Sequence, residues 1–152
     1  MKIQDFLQPG AVLADLTGHT AAEVLAELCR PVAEAHRLDA GQLVQVLLDR
    51  EKLGSTGVGD GVAIPHGKLA GLPALVASFG RAPEGVEFRA ADGKPARLFF
   101  ALFAPGNSAG AHLKALSRVS RIFRVPAFRE AILAAPSAEA IHRLILAEDG
   151  PE

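Results

Sequence analysis

The sequence predicts a layered α/β domain in which helices pack over a sheet. Three observations carry this. A nearly continuous apolar run, Leu98 to Ala104, has the composition of a strand buried on both faces. Amphipathic helical patterns stand before and after it in the chain. Short strand-like runs punctuated by Gly and Pro fill the space between the two helical groups. The 152 residues suit one domain, 1–152, without repeats or low-complexity linkers.

The first helix is read in TAAEVLAELCRPVAEAH, residues 20–36. Thr20 and Glu23 have capping-box spacing, and Val24, Leu25, Leu28 and Val32 recur at helical spacing. Pro31 is expected to kink or shorten this helix, because it removes a backbone donor inside the pattern. The second helix is read in DAGQLVQVLLDREKLG. Asp39 is its N-cap candidate with Gln42 three residues on. Leu43, Val46, Leu47 and Leu53 supply an apolar face, and Gly54 the stop.

A glycine-rich loop follows, then VAIPH, read as a brief strand ending at Pro65. PALVASFGRA and ARLFFALFA are the clearest strands. Between them, EGVEFRAADGKP is read as a short strand with an Asp92-Gly93 turn. In AHLKALSRVSRIFR, Leu113, Leu116, Val119 and Ile122 or Phe123 form one helix face. Lys114, Arg118, Arg121 and Arg124 form the other, to be covered by a partner or by solvent. Pro126 opens a short helix, and Ser137 can cap the last one. This pattern does not fix the strand order.

Lys plus Arg total 16 and Asp plus Glu 17, a net charge of −1, which argues against a nucleic-acid partner held by bulk charge. With no Trp or Tyr, base-stacking platforms could come only from the eight Phe. The single cysteine, Cys29, excludes an intramolecular disulfide and sits in an apolar pattern as a buried small residue. A reducing, cytoplasmic setting fits. The start MKIQDFLQPG lacks a signal-peptide core, and no run approaches the roughly 18 apolar residues of a membrane span.

The chemistry centres on GSTGVGDGVAIPHGKL, Gly54 to Leu69. It is not a Walker loop, since five residues separate Gly61 from Gly67 and Lys68 is followed by Leu69. No strand, glycine loop and helix follow one another as a dinucleotide site needs. Two readings stay open: backbone N–H groups with Ser55 and Thr56 lining an anion-accepting concavity, or a loop rich in glycine for turning alone. The histidines at 19, 36, 66, 112 and 142 are not paired at zinc-site spacing, so neither metal nor cofactor is expected. No G-x-S-x-G elbow supports a Ser/His/Asp hydrolase. His66 differs from the rest: Pro65 fixes the backbone before it, and Gly67 permits an unusual turn after it. His112 lies in the first turn of an amphipathic helix, where an anion is favoured.

REKLGSTGVGDGVAIPHGKL, Arg50 to Leu69, resembles the phosphohistidine signature of bacterial phosphotransferase-system enzyme IIA domains of the fructose/mannitol type, a group that includes the nitrogen-regulatory enzyme IIA proteins. FALFAPGNSAGAHLKALSRVSRIFR, Phe100 to Arg124, is similar to the family's second signature. DFLQPGAVLADLTGHTAAEVLAELC and PSAEAIHRLI also sit where the family has similar segments. The resemblance implies a mixed sheet flanked by helices on both faces. It implies that His66 accepts a phosphoryl group from HPr or its nitrogen-branch counterpart, with His112 as second active-site histidine and Arg50 beside them. Ser55 and Thr56 are further candidates, as phosphate-binding hydroxyl donors. With no B domain or membrane domain in these 152 residues, a nitrogen-regulatory role is expected over passing phosphate to an enzyme IIB in sugar transport. Phosphorylation of His66 as a switch on regulatory partners is a third reading.

Overall fold

Residues 1–151 are described by a computed structural model. Two short 3₁₀ turns, Ile3–Asp5 and Pro9–Ala11, lead into β1 (Val12–Leu13), followed by α1 (Ala21–His36) and α2 (Ala40–Lys52). The strands β2 (Gly57–Gly59), β3 (Val62–Ala63), β4 (His66–Leu69), β5 (Val76–Val86) and β6 (Ala96–Pro105) come next. Helices α3 (Ala109–Phe123), α4 (Pro126–Ala134) and α5 (Ala138–Asp149) complete the described chain.

The sheet is mixed, in the order β1-β5-β6-β3-β2, with β4 also paired to β6. β5 and β6 form an antiparallel hairpin. β1 runs parallel to β5, and both β3 and β4 run parallel to β6. The alternation along β6 divides the core. Leu98, Phe100 and Leu102 pack with Val119, Phe123, Ile141 and Ile145 from α3 and α5. Phe99, Ala101 and Phe103 pack with Leu25, Leu28, Leu43 and Leu47 from α1 and α2. Helices therefore cover both faces of the sheet, as the doubly buried run predicts. Among the described residues, no helix is long and apolar enough to cross a membrane.

The caps form as expected. Thr20 accepts from the Glu23 N–H while Glu23 reaches back, Asp39 accepts from Gln42, and Ser137 accepts from Ala140. Other expectations need correction. Helix α1 reaches His36, as its pattern predicts, with Pro31 inside it, so the proline does not shorten it. The buried Ser78 hydroxyl, from β5, donates to the Leu28 carbonyl at 2.7 Å. That carbonyl belongs to the turn whose ladder the proline disturbs. Leu53 is 84% exposed and Leu113 68% exposed, so neither belongs to its helix's apolar face. Each lies six residues from a buried residue of the same pattern (Leu47, Val119), about 240° around the helix. The segment from Glu84 to Val86 continues β5, with a register shift between Arg81 and Val86, so no separate strand precedes the Asp92-Gly93 turn.

The basic face of α3 is only partly free. Arg118 Nε donates to the buried Asp149 carboxylate at 2.9 Å, and Arg121 Nη2 to the Asp149 carbonyl at 2.8 Å. Asp149 also accepts from the Ile3 N–H at 2.7 Å. Arg118 and Arg121 therefore tie the two chain ends together.

Candidate active site

His66 opens β4; the strand read in VAIPH does not end at Pro65. It breaks at Ile64-Pro65 and resumes, with His66 opposite Leu102 of β6. The break follows from proline having no N–H for the ladder. Pro65 stays attached through its carbonyl, which accepts from the Leu102 N–H at 2.9 Å. The Ile64 N–H turns instead to the Thr56 carbonyl at 3.0 Å. The Ile64 carbonyl then lies 2.8 Å from His66 Nδ1. A carbonyl can only accept, so Nδ1 carries the proton and Nε2 keeps its lone pair.

Strand alternation places the neighbours of His66. Ile64 faces the α3 side of the core, and Ala63 and Leu69 face the α1/α2 side. Two residues beyond Ile64, His66 meets His112 of α3, with ring centroids 5.4 Å apart in an edge-to-face arrangement. Gly67 faces α2. It makes no unusual turn: its φ is not positive, and it pairs with Phe103 within the strand. Glycine is required there because a Cβ would stand 2.4 Å from Cγ1 of Val46. This close approach brings the last turns of α2 against β4. Arg50, one turn beyond Val46, acts electrostatically on His66 and donates from Nη1 to the Gly54 carbonyl at 2.9 Å.

Both rings are held neutral. Burial lowers the pKa of His66, and the Arg50 charge lowers it further; the bond to Ile64 and the Glu51 charge oppose this. Burial also lowers the pKa of His112, helped by His66 and Lys68. His112 is 8% exposed, and its buried Nε2 has no hydrogen-bond partner among the described residues. An orphaned polar atom beside an unprotonated, tautomer-fixed imidazole suits a nucleophile and an anion-binding neighbour.

The glycine stretch is a hairpin. β2 and β3 pair antiparallel across a turn in which Gly59, Asp60 and Gly61 all have positive φ. Two of its amides bond to side chains: Gly57 N–H donates to Ser55 Oγ at 3.0 Å and Asp60 N–H to Asp92 at 3.0 Å. Thr56 N–H donates to Glu51 Oε1 at 3.0 Å, and the Thr56 hydroxyl donates to the other Glu51 oxygen. The Ser55 hydroxyl donates to the Phe88 carbonyl. These bonds occupy the Ser55 and Thr56 hydroxyls and the Thr56, Gly57 and Asp60 amides in building the loop. Glu51, which sequence reasoning passed over, stands at the junction of loop and helix. Its position next to Arg50 in the signature was the available signal.

The other histidines lie apart from this pair. His142 Nε2 is 3.2 Å from the Leu7 carbonyl, the His19 N–H donates to Glu23, and His36 ends α1. Cys29 is fully buried, and desolvation pushes its pKa up to about 12. No group of three or more His, Cys, Asp or Glu able to hold a metal occurs among the described residues.

Residues 5–148 match the family described as phosphoenolpyruvate-dependent sugar phosphotransferase system, EIIA 2. The chain is 39% identical over 145 residues to a nitrogen regulatory protein of Bradyrhizobium diazoefficiens, covering 95% of each chain. It is 36% identical over 129 residues to a fructose-specific EIIA component of Haloferax volcanii, covering 85% of this chain and 82% of that protein. The crystal structure of nitrogen regulatory protein IIA-Ntr from Neisseria meningitidis superposes with a TM-score of 0.89 at 35% identity, covering 94% of this chain and 98% of that one.

Proposed function

The chain belongs to the EIIA 2 family of the phosphoenolpyruvate-dependent phosphotransferase system, and from that premise we propose that it carries a phosphoryl group on Nε2 of His66. The observation that carries this reading is the 2.8 Å bond between Nδ1 and the Ile64 carbonyl, which leaves Nε2 as the nucleophile. In the proposed reaction the Nε2 lone pair attacks the phosphorus of an HPr-type donor. The donor's bond to phosphorus breaks, and its electron pair stays with the donor. No proton need leave, because Nδ1 keeps its hydrogen. The ring becomes positive, and its bond to Ile64 becomes charge-assisted.

Phosphoryl transfer asks mainly for positioning and charge stabilisation. Arg50 supplies positive charge from the end of α2. A phosphoryl oxygen would give the buried His112 Nε2 the partner it lacks. Ser55 and Thr56 contribute through the shape of the loop, not through their hydroxyls.

The nitrogen-regulatory role is supported by the 39% identity and matched lengths of the Bradyrhizobium relative. In that role phosphorylation of His66 switches binding to regulatory targets, through the charge it adds at the site. A second reading, transfer to an enzyme IIB in sugar transport, is supported by the 36% identity to a fructose-specific EIIA. The test is incubation with phosphoenolpyruvate, enzyme I and HPr-type carriers. The expected result is an acid-labile, base-stable phosphate that is absent in His66→Ala. Labelling undiminished in that variant overturns the assignment. Pull-downs with an enzyme IIB, with and without phosphate, then separate transport from regulation.

A further inference from the structure

We propose that Glu51 is a positioning residue for His66, acting through a relay of hydrogen bonds that passes through Thr56 and Ile64. The inference rests on the reading of His66 as phosphoryl acceptor. Four contacts carry it. Glu51 accepts from the Thr56 N–H at 3.0 Å and from the Thr56 hydroxyl. The Thr56 carbonyl accepts from the Ile64 N–H at 3.0 Å. The Ile64 carbonyl accepts from His66 Nδ1–H at 2.8 Å.

Every donor in this series points toward the carboxylate. At Thr56 and at Ile64 the N–H and the carbonyl belong to different amides, so the series passes on geometry, while the Glu51 charge acts on His66 through space. Thr56 is 4% exposed, so its bonds to Glu51 are shielded from water, and they fix where the Ile64 carbonyl aims. The Ile64–Pro65 amide has no N–H, so its carbonyl is held from the Ile64 side and through Pro65's own bond to Leu102.

Glu51 and Arg50 are adjacent at the end of α2 and act on His66 with opposite sign. The other charged or titratable groups near the ring pair are His112 from α3 and Lys68 from β4. Arg50 favours the incoming phosphoryl group but makes a positive ring harder to form. Glu51 offsets that second effect from the Nδ1 side, where it does not meet the phosphate. A carboxylate that orients a histidine through its distal nitrogen is a familiar device. Here two backbone links stand between them.

The test compares wild type with Glu51→Gln, which keeps an acceptor for Thr56 but removes the charge. Thr56→Val removes the hydroxyl link, and Thr56→Ser is the conservative rescue. Ring ¹⁵N shifts of His66 report its tautomer and pKa without any phosphoryl donor. Rates at saturating phospho-HPr separate kcat from KM. Glu51→Gln is expected to lower kcat about tenfold, the low end for loss of an outer orienting partner, with KM unchanged. It should also raise the Nε2–H tautomer fraction and lower the ring pKa. Thr56→Val should move the same readouts in the same direction by less, and Thr56→Ser should match wild type. A folded Glu51→Gln with wild-type tautomer and kcat, or a change confined to KM, overturns the relay. If Glu51→Gln does not fold, Thr56→Val decides by the same criteria. If wild type takes no phosphate, the acceptor reading fails, while the tautomer measurement still tests the relay on its own.

Discussion

Replacing Gly67 with alanine tests whether the contact between β4 and α2 positions the site. The added Cβ would stand 2.4 Å from Val46 Cγ1, well inside contact distance. Valine in a helix has one strongly preferred χ1, so Cγ1 cannot swing aside as the tip of a long side chain could. Overpacking of this kind costs about 1–3 kcal/mol. Against it, Gly→Ala narrows the unfolded ensemble and returns about 0.4–1 kcal/mol. The net expectation is a loss of about 1–2 kcal/mol, read as a lower urea midpoint. The companion change, Val46→Ala, removes the clashing atom. The Val46 carbonyl and Cβ then remain at 3.6 and 3.8 Å, ordinary contact. In the double variant the cost of Gly67→Ala should vanish, giving a coupling energy of about 1 kcal/mol or more. Phosphoryl acceptance should follow the same pattern, because Arg50 and Glu51 ride on the helix that must retreat. A neutral Gly67→Ala, or strictly additive costs, would refute the close-approach account.

Two further outcomes follow from the same geometry. The pKa values of His66 and His112 lie below their ordinary 6.5 in the folded chain, chiefly through burial. The unfolded chain therefore binds these protons first as pH falls. Their contribution to stability is complete above about pH 6.5 and declines as pH drops toward the folded values. Thermal midpoints of His66→Gln and His112→Gln should be less sensitive to pH across that window, and an unchanged pH profile would count against burial as the cause. Arg81 is buried and donates to the Ala14 carbonyl at 2.9 Å, and to Ile132 and Ala135 at the end of α4 at 2.9 and 2.8 Å. Arg81→Met should cost about 3 kcal/mol or more by leaving these carbonyls unpaired. Arg81→Lys should recover less than half of that, because one ammonium cannot replace the fork; full recovery in urea unfolding would refute it.

The parts of this fold legible in the sequence are those set by near neighbours. The caps at Thr20, Asp39 and Ser137 join residues three apart, so spacing alone identifies them. β6 announced itself because both its faces are buried. β1 did not: its two residues are too few to show alternation, and its strand status comes from pairing with Phe79 and Gly80. The apolar faces of α2 and α3 were misread for a related reason. Leucine is the expected core residue, yet on α3 the buried stripe takes His112 and leaves Leu113 outside. Helical spacing from Ala115 and Val119 favours His112, but apolarity favoured Leu113. The conflict itself marked the histidine, since a polar residue in a buried stripe breaks the local pattern.

The glycine stretch separates what sequence proximity suggests from what a site can use. Hydroxyls and amides ten residues before a nucleophile look like phosphate ligands. A donor serves an incoming anion only if it is vacant, and those of Thr56 are paired with a carboxylate. Moving phosphate to them would mean breaking charge-assisted bonds and bringing two negative groups together. The hairpin's bonds lead instead to the histidine: the Thr56 carbonyl holds the Ile64 N–H, and the Ile64 carbonyl accepts from His66 Nδ1. In the proposed reaction, charge stabilisation comes instead from the two flanking helices, through Arg50 and His112. Gly67 lets one of those helices come close enough to contribute.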